Sequence, residues 1–222
     1  MQHHVFDDNT AAKQRMAQAE YYRDGAKRWL DIIGVILLSP LVLPLVAGLW
    51  VLVRLDGGAG LFGHLRVGKD GSQFRCWKIR TMVPEAEAHL AAHLVMHPKA
   101  AKEWAASYKL KDDPRITRIG RILRKTSLDE LPQLWNVLRG EMSLVGPRPV
   151  PQKELVEYAG YEWAYMMMRP GITGVWQVAG RNNTSYPDRV RMDVGYLLKT
   201  SLRTDLTILW RTVGVVLRRT GI

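Results

Sequence analysis

The run from Trp29 to Val53, WLDIIGVILLSPLVLPLVAGLWVLV, carries a single charge, Asp31, in 25 residues. That is long enough to cross a bilayer core, so it is a transmembrane helix, a helix that enters the membrane and returns, or a very apolar core helix. It lies too far from the start, and lacks the cleavage pattern, for a secretory signal. Ser39-Pro40 falls mid-run with Pro44 one turn later. Pro40 deletes a backbone donor and clashes with the turn before it, so a sharp kink is expected there. Lys27 and Arg28 precede the run, while Arg54, Arg66, Lys69, Arg75, Lys78 and Arg80 follow it. Positive flanks prefer the cytoplasm. A helix that breaks at Ser39-Pro40 and returns satisfies both flanks, whereas a straight span strands Lys27 and Arg28 outside; the re-entrant reading is therefore favoured over spanning, and core helix is third.

The remaining chain of this 222-residue protein suits one domain of ordinary size. Lys plus Arg number 32 against 21 acidic residues, so the net charge of +11 points to nucleic acid, lipid headgroups or a phosphorylated substrate. No nucleic-acid reader motif is present, and aromatics are not interleaved with the basic run. The lone Cys76 has no partner for an intramolecular disulfide, there is no Cys/His zinc framework, and a reducing, cytosol-facing location fits.

The segment pattern predicts an α+β, mostly helical fold. Residues 1–26 form an N-terminal surface arm, 27–55 the re-entrant membrane helix, and 56–222 a compact cytosolic domain. Leu65-Arg66-Val67 and Gln73-Phe74-Arg75-Cys76-Trp77 flank Lys69-Asp70-Gly71 as a hairpin. Pro84 opens a long helix to about Ser107, with Ala86, Leu90, Leu94 and Trp104 inward. His89, His93 and His97 read as a solvated stripe, since no carboxylate completes a metal site. Thr117 caps a helix bearing Arg118, Arg121, Arg124 and Lys125. Ser185–Lys199 is a helix with Val190, Val194 and Leu197 inward, and Leu206–Leu217 an amphipathic helix suited to a membrane surface.

Between these helices, Ser127-Leu128-Asp129-Glu130-Leu131-Pro132-Gln133-Leu134 places two carboxylates at a helix start behind a run of arginines. Ser127 with Glu130 matches a capping box, and acids are favoured at helix N-termini in any protein. Pro132 complicates that account, because a helix starting early enough to use the box puts a proline where a donor is needed. Free amides there should lower the Asp129 pKa and attract phosphate. On physics alone, cap and catalysis stand level. Leu131, Leu134, Trp135 and Leu138 are expected on the buried side, and Gly140 stops the helix. Arg124 is directed at the same site, where a guanidinium fork suits phosphate. In Gly146-Pro147-Arg148-Pro149 two prolines hold Arg148 extended, as a rigid arm or a plain turn.

Four segments in series, Lys78-Ile79-Arg80-Thr81-Met82, Thr126 to Leu134, Gly140 to Pro149 and Arg169 to Asn182, resemble the bacterial sugar transferase family, the monotopic polyprenyl-phosphate phosphoglycosyl transferases. The resemblance runs from about Lys27 to the C-terminus. The short form, with no N-terminal transmembrane bundle, and the stretch Trp104 to Arg115 look most similar to galactose-phosphate transferases that start exopolysaccharide synthesis.

The resemblance implies a two-step reaction. Asp129 attacks the sugar-bearing phosphorus of a UDP-sugar, releases UMP and holds the phosphosugar; undecaprenyl phosphate then takes it. Glu130 is implied to bind Mg²⁺. Arg80, Arg124, Arg148 and Arg181 fall at positions expected to contact substrate, and Pro147-Arg148-Pro149 at the motif expected to meet uridine. Asp205 matches an acidic family position near the end and is grouped with the substrate-binding residues. A re-entrant helix broken at Ser39-Pro40 is a further family trait, implying a monotopic protein on the inner leaflet of the bacterial cytoplasmic membrane. His64 and Leu65 depart from the Gln or Arg of many relatives. Galactose against glucose, and monomer against homodimer, stay open. The competing class is a non-catalytic basic membrane scaffold.

Overall fold

The computed structural model describes residues 19–55, 57–107, 110–180 and 184–217. The first 18 residues of the expected arm therefore lie outside the described residues. A helical run from Ala19 to Arg54 contains a π-helical turn at Tyr22–Ala26 and then α1, Lys27–Arg54. Helix α1 continues through both prolines, so the break expected at Ser39-Pro40 is not an interruption of the helix. The reason is local. Pro40 has no N–H to offer the Ile36 carbonyl, and the Ser39 hydroxyl donates to that oxygen at 2.7 Å instead.

One stripe of α1 faces the protein along its whole length. Lys27, Asp31, Val35, Val42 and Val53 are buried, and Ser39, Val46 and Leu49 between them are half-buried. The leading end is held by polar contacts: Lys27 pairs with Asp205, and Asp31 accepts from the Ser143 hydroxyl and the Leu144 amide at 3.0 and 2.9 Å. The trailing end packs through Val46, Leu49 and Val53 against Ile79 and Leu123. The other faces present Trp29, Ile36, Leu37, Leu41 and Leu43 to the outside. Both ends of the apolar helix thus rest on the same domain, and the core-helix reading falls.

The hairpin forms as the sequence suggested, β1 Leu61–Val67 against β2 Gln73–Ile79, antiparallel, with Arg66 opposite Phe74, His64 opposite Cys76 and Phe62 opposite Lys78. Its turn uses Asp70 and Gly71 at positive φ. The long helix expected up to Ser107 is two, α2 Ala86–Met96 and α3 Pro98–Ser107. Pro98 forces His97 out of the helical region, with φ −128° and ψ 86°. The four expected inward residues are only half-buried. His93 and His97 stack at 4.2 Å, and no group of three metal-binding side chains occurs among the described residues.

Helix α4, Arg118–Thr126, is capped by Thr117, whose hydroxyl accepts from the Gly120 amide at 2.8 Å. Helix α5, Gln133–Arg139, ends at Gly140 with φ 80°. Its buried residues are Gln133, Asn136 and Val137, whereas Trp135 and Leu138, expected inside, are exposed. Asn136 explains the rotation. Its amide oxygen accepts from the Trp77 amide (3.0 Å) and its nitrogen donates to the Arg75 carbonyl (2.7 Å), so the side chain serves as a partner along the open edge of β2.

A second sheet escaped the sequence reading. Strands β3 Ser143–Val145 and β4 Gly171–Thr173 pair in parallel. A Cβ on Gly171 would sit 2.1 Å from the Gly146 nitrogen, so the close crossing requires glycine. Helices α6 Glu162–Met166 and α7 Val175–Ala179 are short. Helix α8, Tyr186–Lys199, has Ser185 as its N-cap, and α9 covers Leu202–Leu217. In α8, Val190 and Leu197 are buried and Val194 is half-buried. On α9, Asp205 and Ile208 face inward while Leu202, Leu206, Trp210 and Val213 form an exposed stripe.

Candidate active site

Helix α4 ends at Ser127, which adopts φ 58° and takes its amide to the Leu123 and Arg124 carbonyls. That left-handed residue redirects the chain into one 3-10 turn, Leu128–Glu130, before Pro132 starts α5 as its N-cap. Ser127 makes no side-chain cap. The capping-box explanation of Asp129 and Glu130 therefore fails, because Ser127 closes one helix rather than opening the next.

The two carboxylates meet a set of cations. Lys78 Nζ lies 2.7 Å from Glu130 Oε1 and 3.9 Å from Asp129 Oδ2. Arg148 Nη1 lies 3.6 Å from the same Glu130 oxygen. Arg124 donates through Nε to the Thr81 hydroxyl at 2.9 Å, and its charge acts on Asp129. Asp129 is only 7% exposed. Burial pushes its carboxyl above the ordinary carboxylate range; Lys78 opposes that shift, Glu130 adds to it and Arg124 opposes it. The expected lowering by helix amides is outweighed, since a single 3-10 turn offers little dipole and desolvation acts first. Burial likewise lowers the Arg124 guanidinium, against the charges of Asp129 and Asp113.

The segment Lys78 to Met82 divides its labour by strand alternation. Lys78 reaches the carboxylates, Ile79 enters the core, Thr81 positions Arg124, and Met82 bridges to Ile116. Arg80, which the resemblance places among the substrate contacts, bonds to the backbone here. It donates to the carbonyls of Ala59 (2.6 Å), Met82 (3.2 Å) and Val53 (2.9 Å), which ties the trailing end of α1 to β2. Asp205 is also engaged elsewhere. It is fully buried, pairs with Lys27, and accepts from the hydroxyls of Tyr22 and Tyr196 at 2.9 and 2.5 Å. Its role is to anchor α1 to α9. Arg181 lies outside the described residues.

The Pro147-Arg148-Pro149 arm is stitched on both sides. The Gly171 amide donates to the Pro147 carbonyl at 2.8 Å, and the Val67 amide to the Val150 carbonyl at 2.9 Å. Arg148 is thus presented by a fixed backbone, as the flanking prolines suggested. Lys78 and Thr81 were not singled out from the sequence; the available signal was the alternation of β2, which puts Lys78 on a different face from Ile79.

A buried carboxylate beside a second carboxylate, with Lys78, Arg124 and Arg148 around them, suits attack on a phosphorus that carries negative oxygens. The chain is 53% identical over 195 residues to a UDP-galactose-lipid carrier transferase of Erwinia amylovora, covering 88% of this chain and 41% of that protein. It is 49% identical, with the same coverage, to an undecaprenyl-phosphate galactose phosphotransferase of Salmonella typhimurium. The chain therefore spans about two fifths of the length of these two relatives. It is 45% identical to the exopolysaccharide production protein ExoY of Rhizobium meliloti, covering 86% of this chain and 85% of that protein. Residues 22–219 match the family described as bacterial sugar transferase, and the protein belongs to that family.

Proposed function

We propose that the protein transfers a sugar-1-phosphate, galactose-1-phosphate in the first instance, from a UDP-sugar to undecaprenyl phosphate. The observation that carries this reading is the Asp129 carboxylate, desolvated yet 3.9 Å from Lys78 and within the field of Arg124, with Glu130 and Arg148 adjoining. In the first step an Asp129 oxygen bonds to the sugar-bearing phosphorus, the bond from that phosphorus to the bridging oxygen breaks, and UMP departs with the electron pair. In the second, a phosphate oxygen of undecaprenyl phosphate attacks the same phosphorus and returns the Asp129 carboxylate. Dividing the transfer lets one nucleophile serve both substrates. The relatives named for galactose and for undecaprenyl phosphate support the choice of donor and acceptor.

Mg²⁺ fits as a substrate-borne ion. Glu130, with the donor's phosphates, is the residue to hold it, since Mg²⁺ takes few protein carboxylates and keeps oxygen ligands from substrate and water. When bound it neutralises charge on the phosphates. Lys78 and Arg124 meanwhile favour the ionised form of Asp129 against its burial, and Arg148 orients the donor.

We place α1 in one leaflet, entering and leaving on the cytoplasmic side. Its continuous protein-facing stripe, its two ends on one domain and its apolar outer faces support this. Incubation of the detergent-solubilised protein with UDP-galactose, undecaprenyl phosphate and Mg²⁺ should release UMP. UMP only from UDP-glucose would change the sugar, and none from any common UDP-sugar would overturn the reading in favour of a binding scaffold.

A further inference from the structure

The outer edge of the hairpin is open over one short stretch. In an antiparallel strand the N–H and C=O of one residue point to the same side, and those of the next residue to the other. Asn136 bonds Arg75 and Trp77 from outside β2, and Val150 bonds the Val67 amide from outside β1. Leu65 and Gly63 stand opposite Arg75 and Trp77, so Leu61, Gly63, Leu65 and Val67 all turn their backbone groups away from β2. The chain itself closes both ends of this edge. Val67 is held by Val150 and the Tyr165 hydroxyl, and the Ala59 carbonyl accepts from Arg80 Nε. Between these ends, the outward amides of Leu61, Gly63 and Leu65 make no hydrogen bond among the described residues, while the Leu65 carbonyl has the His64 ring at 2.9 Å. No Lys, Arg, Asp, Glu or Pro stands in Leu61–Leu65, and the pairing of β1 with β2 runs without a bulge. Charge, proline and bulges are the devices that ordinarily keep a free edge from pairing. Leu61, Phe62 and Leu65 are 39%, 53% and 55% exposed. Lipid would cover those side chains but offers the amides nothing; another strand satisfies both.

The stretch fits itself when reversed. We propose that Leu61–Leu65 pairs antiparallel with the same stretch of a second copy of this chain, about a two-fold axis at Gly63, joining the two hairpins into one continuous sheet. In that register Leu61 faces Leu65 of the second copy, Phe62 faces its His64, and Gly63 faces its Gly63. The outward residues Leu61, Gly63 and Leu65 then exchange both backbone hydrogen bonds with their opposites. On one sheet face the leucines meet in pairs across the axis. On the other, Phe62 and His64, already edge to face at 6.2 Å within the chain, continue into the same rings of the second copy. Glycine suits the axis because a Cβ at Gly63 would lie 3.1 Å from the Trp77 ring that covers it. No like charges are opposed anywhere in the pairing. Phe62 is opposite Lys78 in its own hairpin, so the row of rings adjoins the carboxylate site and one sheet carries two such sites. The pairing does not depend on the proposed reaction.

The test is disulfide capture in membranes, joined to native mass spectrometry in detergent. Leu61→Cys and Leu65→Cys chains carrying different tags are co-expressed. Their facing Cα atoms would be about 5.5 Å apart, within disulfide reach, whereas each position would lie at least ~13 Å from its own counterpart. Cys76, opposite His64, turns to the other sheet face. The mixed pair should therefore crosslink, and neither variant should crosslink with itself. By mass the wild type should be a dimer. Leu65→Glu, which faces Arg75 in its own hairpin, should keep the wild-type Tm and weaken the dimer about tenfold or more. Adding Leu61→Lys should restore it, because the register sets each lysine against a glutamate. A monomeric wild type, an uncrosslinked mixed pair, or single variants that crosslink as fast as the mixed pair overturns the pairing. A dimer indifferent to Leu65→Glu overturns it and puts the interface elsewhere; a dimer that Leu61→Lys fails to restore overturns the register. A monomer whose Leu65→Glu variant no longer binds vesicles of bacterial phospholipid would assign the edge to lipid instead. If Leu65→Glu does not fold, the mixed crosslink alone decides.

Discussion

Lys27, at the first turn of the apolar helix, is buried against Asp205, which lies 178 residues further on in α9 and shows no exposed surface. The Tyr22 and Tyr196 hydroxyls supply the remaining hydrogen bonds to that carboxylate. Removing one member of a buried pair strands the other. Asp205→Ala should cost about 3–5 kcal/mol, read as a fall in Tm, whereas the double change Lys27→Met with Asp205→Leu should recover most of it. A single variant as stable as wild type would refute the anchoring role.

The carboxylates divide in function under the proposed mechanism. Asp129→Asn should abolish UMP release and the covalent phosphosugar adduct seen by intact-protein mass spectrometry. Glu130→Gln should retain a trace of turnover and demand far more Mg²⁺ for it. An Asp129→Asn protein with wild-type turnover would exclude Asp129 as nucleophile.

Asp193 gives a pH signature. It is buried on α8, accepts from the Tyr158 hydroxyl at 2.9 Å, and burial pushes its carboxyl up to about 7 from 3.8, against the pull of Arg189. The native state binds the extra proton between those two values, so this group's contribution is fully present below the unfolded pKa and is lost as pH rises through about 7. Asp193→Asn, which keeps an acceptor for Tyr158, should flatten that decline and melt higher than wild type at pH 8. Parallel Tm curves for the two proteins from pH 5 to pH 8 would contradict the assignment.

Gly171→Ala forces a methyl against the Gly146 nitrogen, two residues from Arg148. Overpacking at this crossing should cost about 1–3 kcal/mol or more, and turnover should drop beyond what the lost stability explains because the arginine arm moves with β3. Gly195→Ala, where a Cβ meets nothing within 4 Å, is the control and should be neutral or slightly stabilising.

What the sequence disclosed depended on whether the deciding contact was local. The Lys69-Asp70-Gly71 turn, the Thr117 cap and the Gly140 stop are written in adjacent residues, and each forms where expected. The buried face of α5 is set by Asn136 completing a strand edge some 60 positions earlier, which no helical periodicity reports. Strands β3 and β4 are three residues each, too short for a periodicity to show, and their pairing depends on the close approach of Gly171 to Gly146. Asp129 and Glu130 stood out by type and spacing, but Lys78 did not, since its partnership depends on hairpin register. Arg80 and Asp205, grouped with the substrate contacts by the resemblance, also make long-range hydrogen bonds that no local pattern reports.

The Arg80 bonds to Val53 and Met82 fasten the point where the chain leaves the apolar helix to the strand that holds Lys78. Under the proposed membrane placement, depth in the lipid converts into height of the proposed nucleophile: whatever sets how far the helix sinks also sets where Asp129 rides above the headgroups. In that arrangement a lipid phosphate carried at that level would meet the carboxylate without any hinge having to swing.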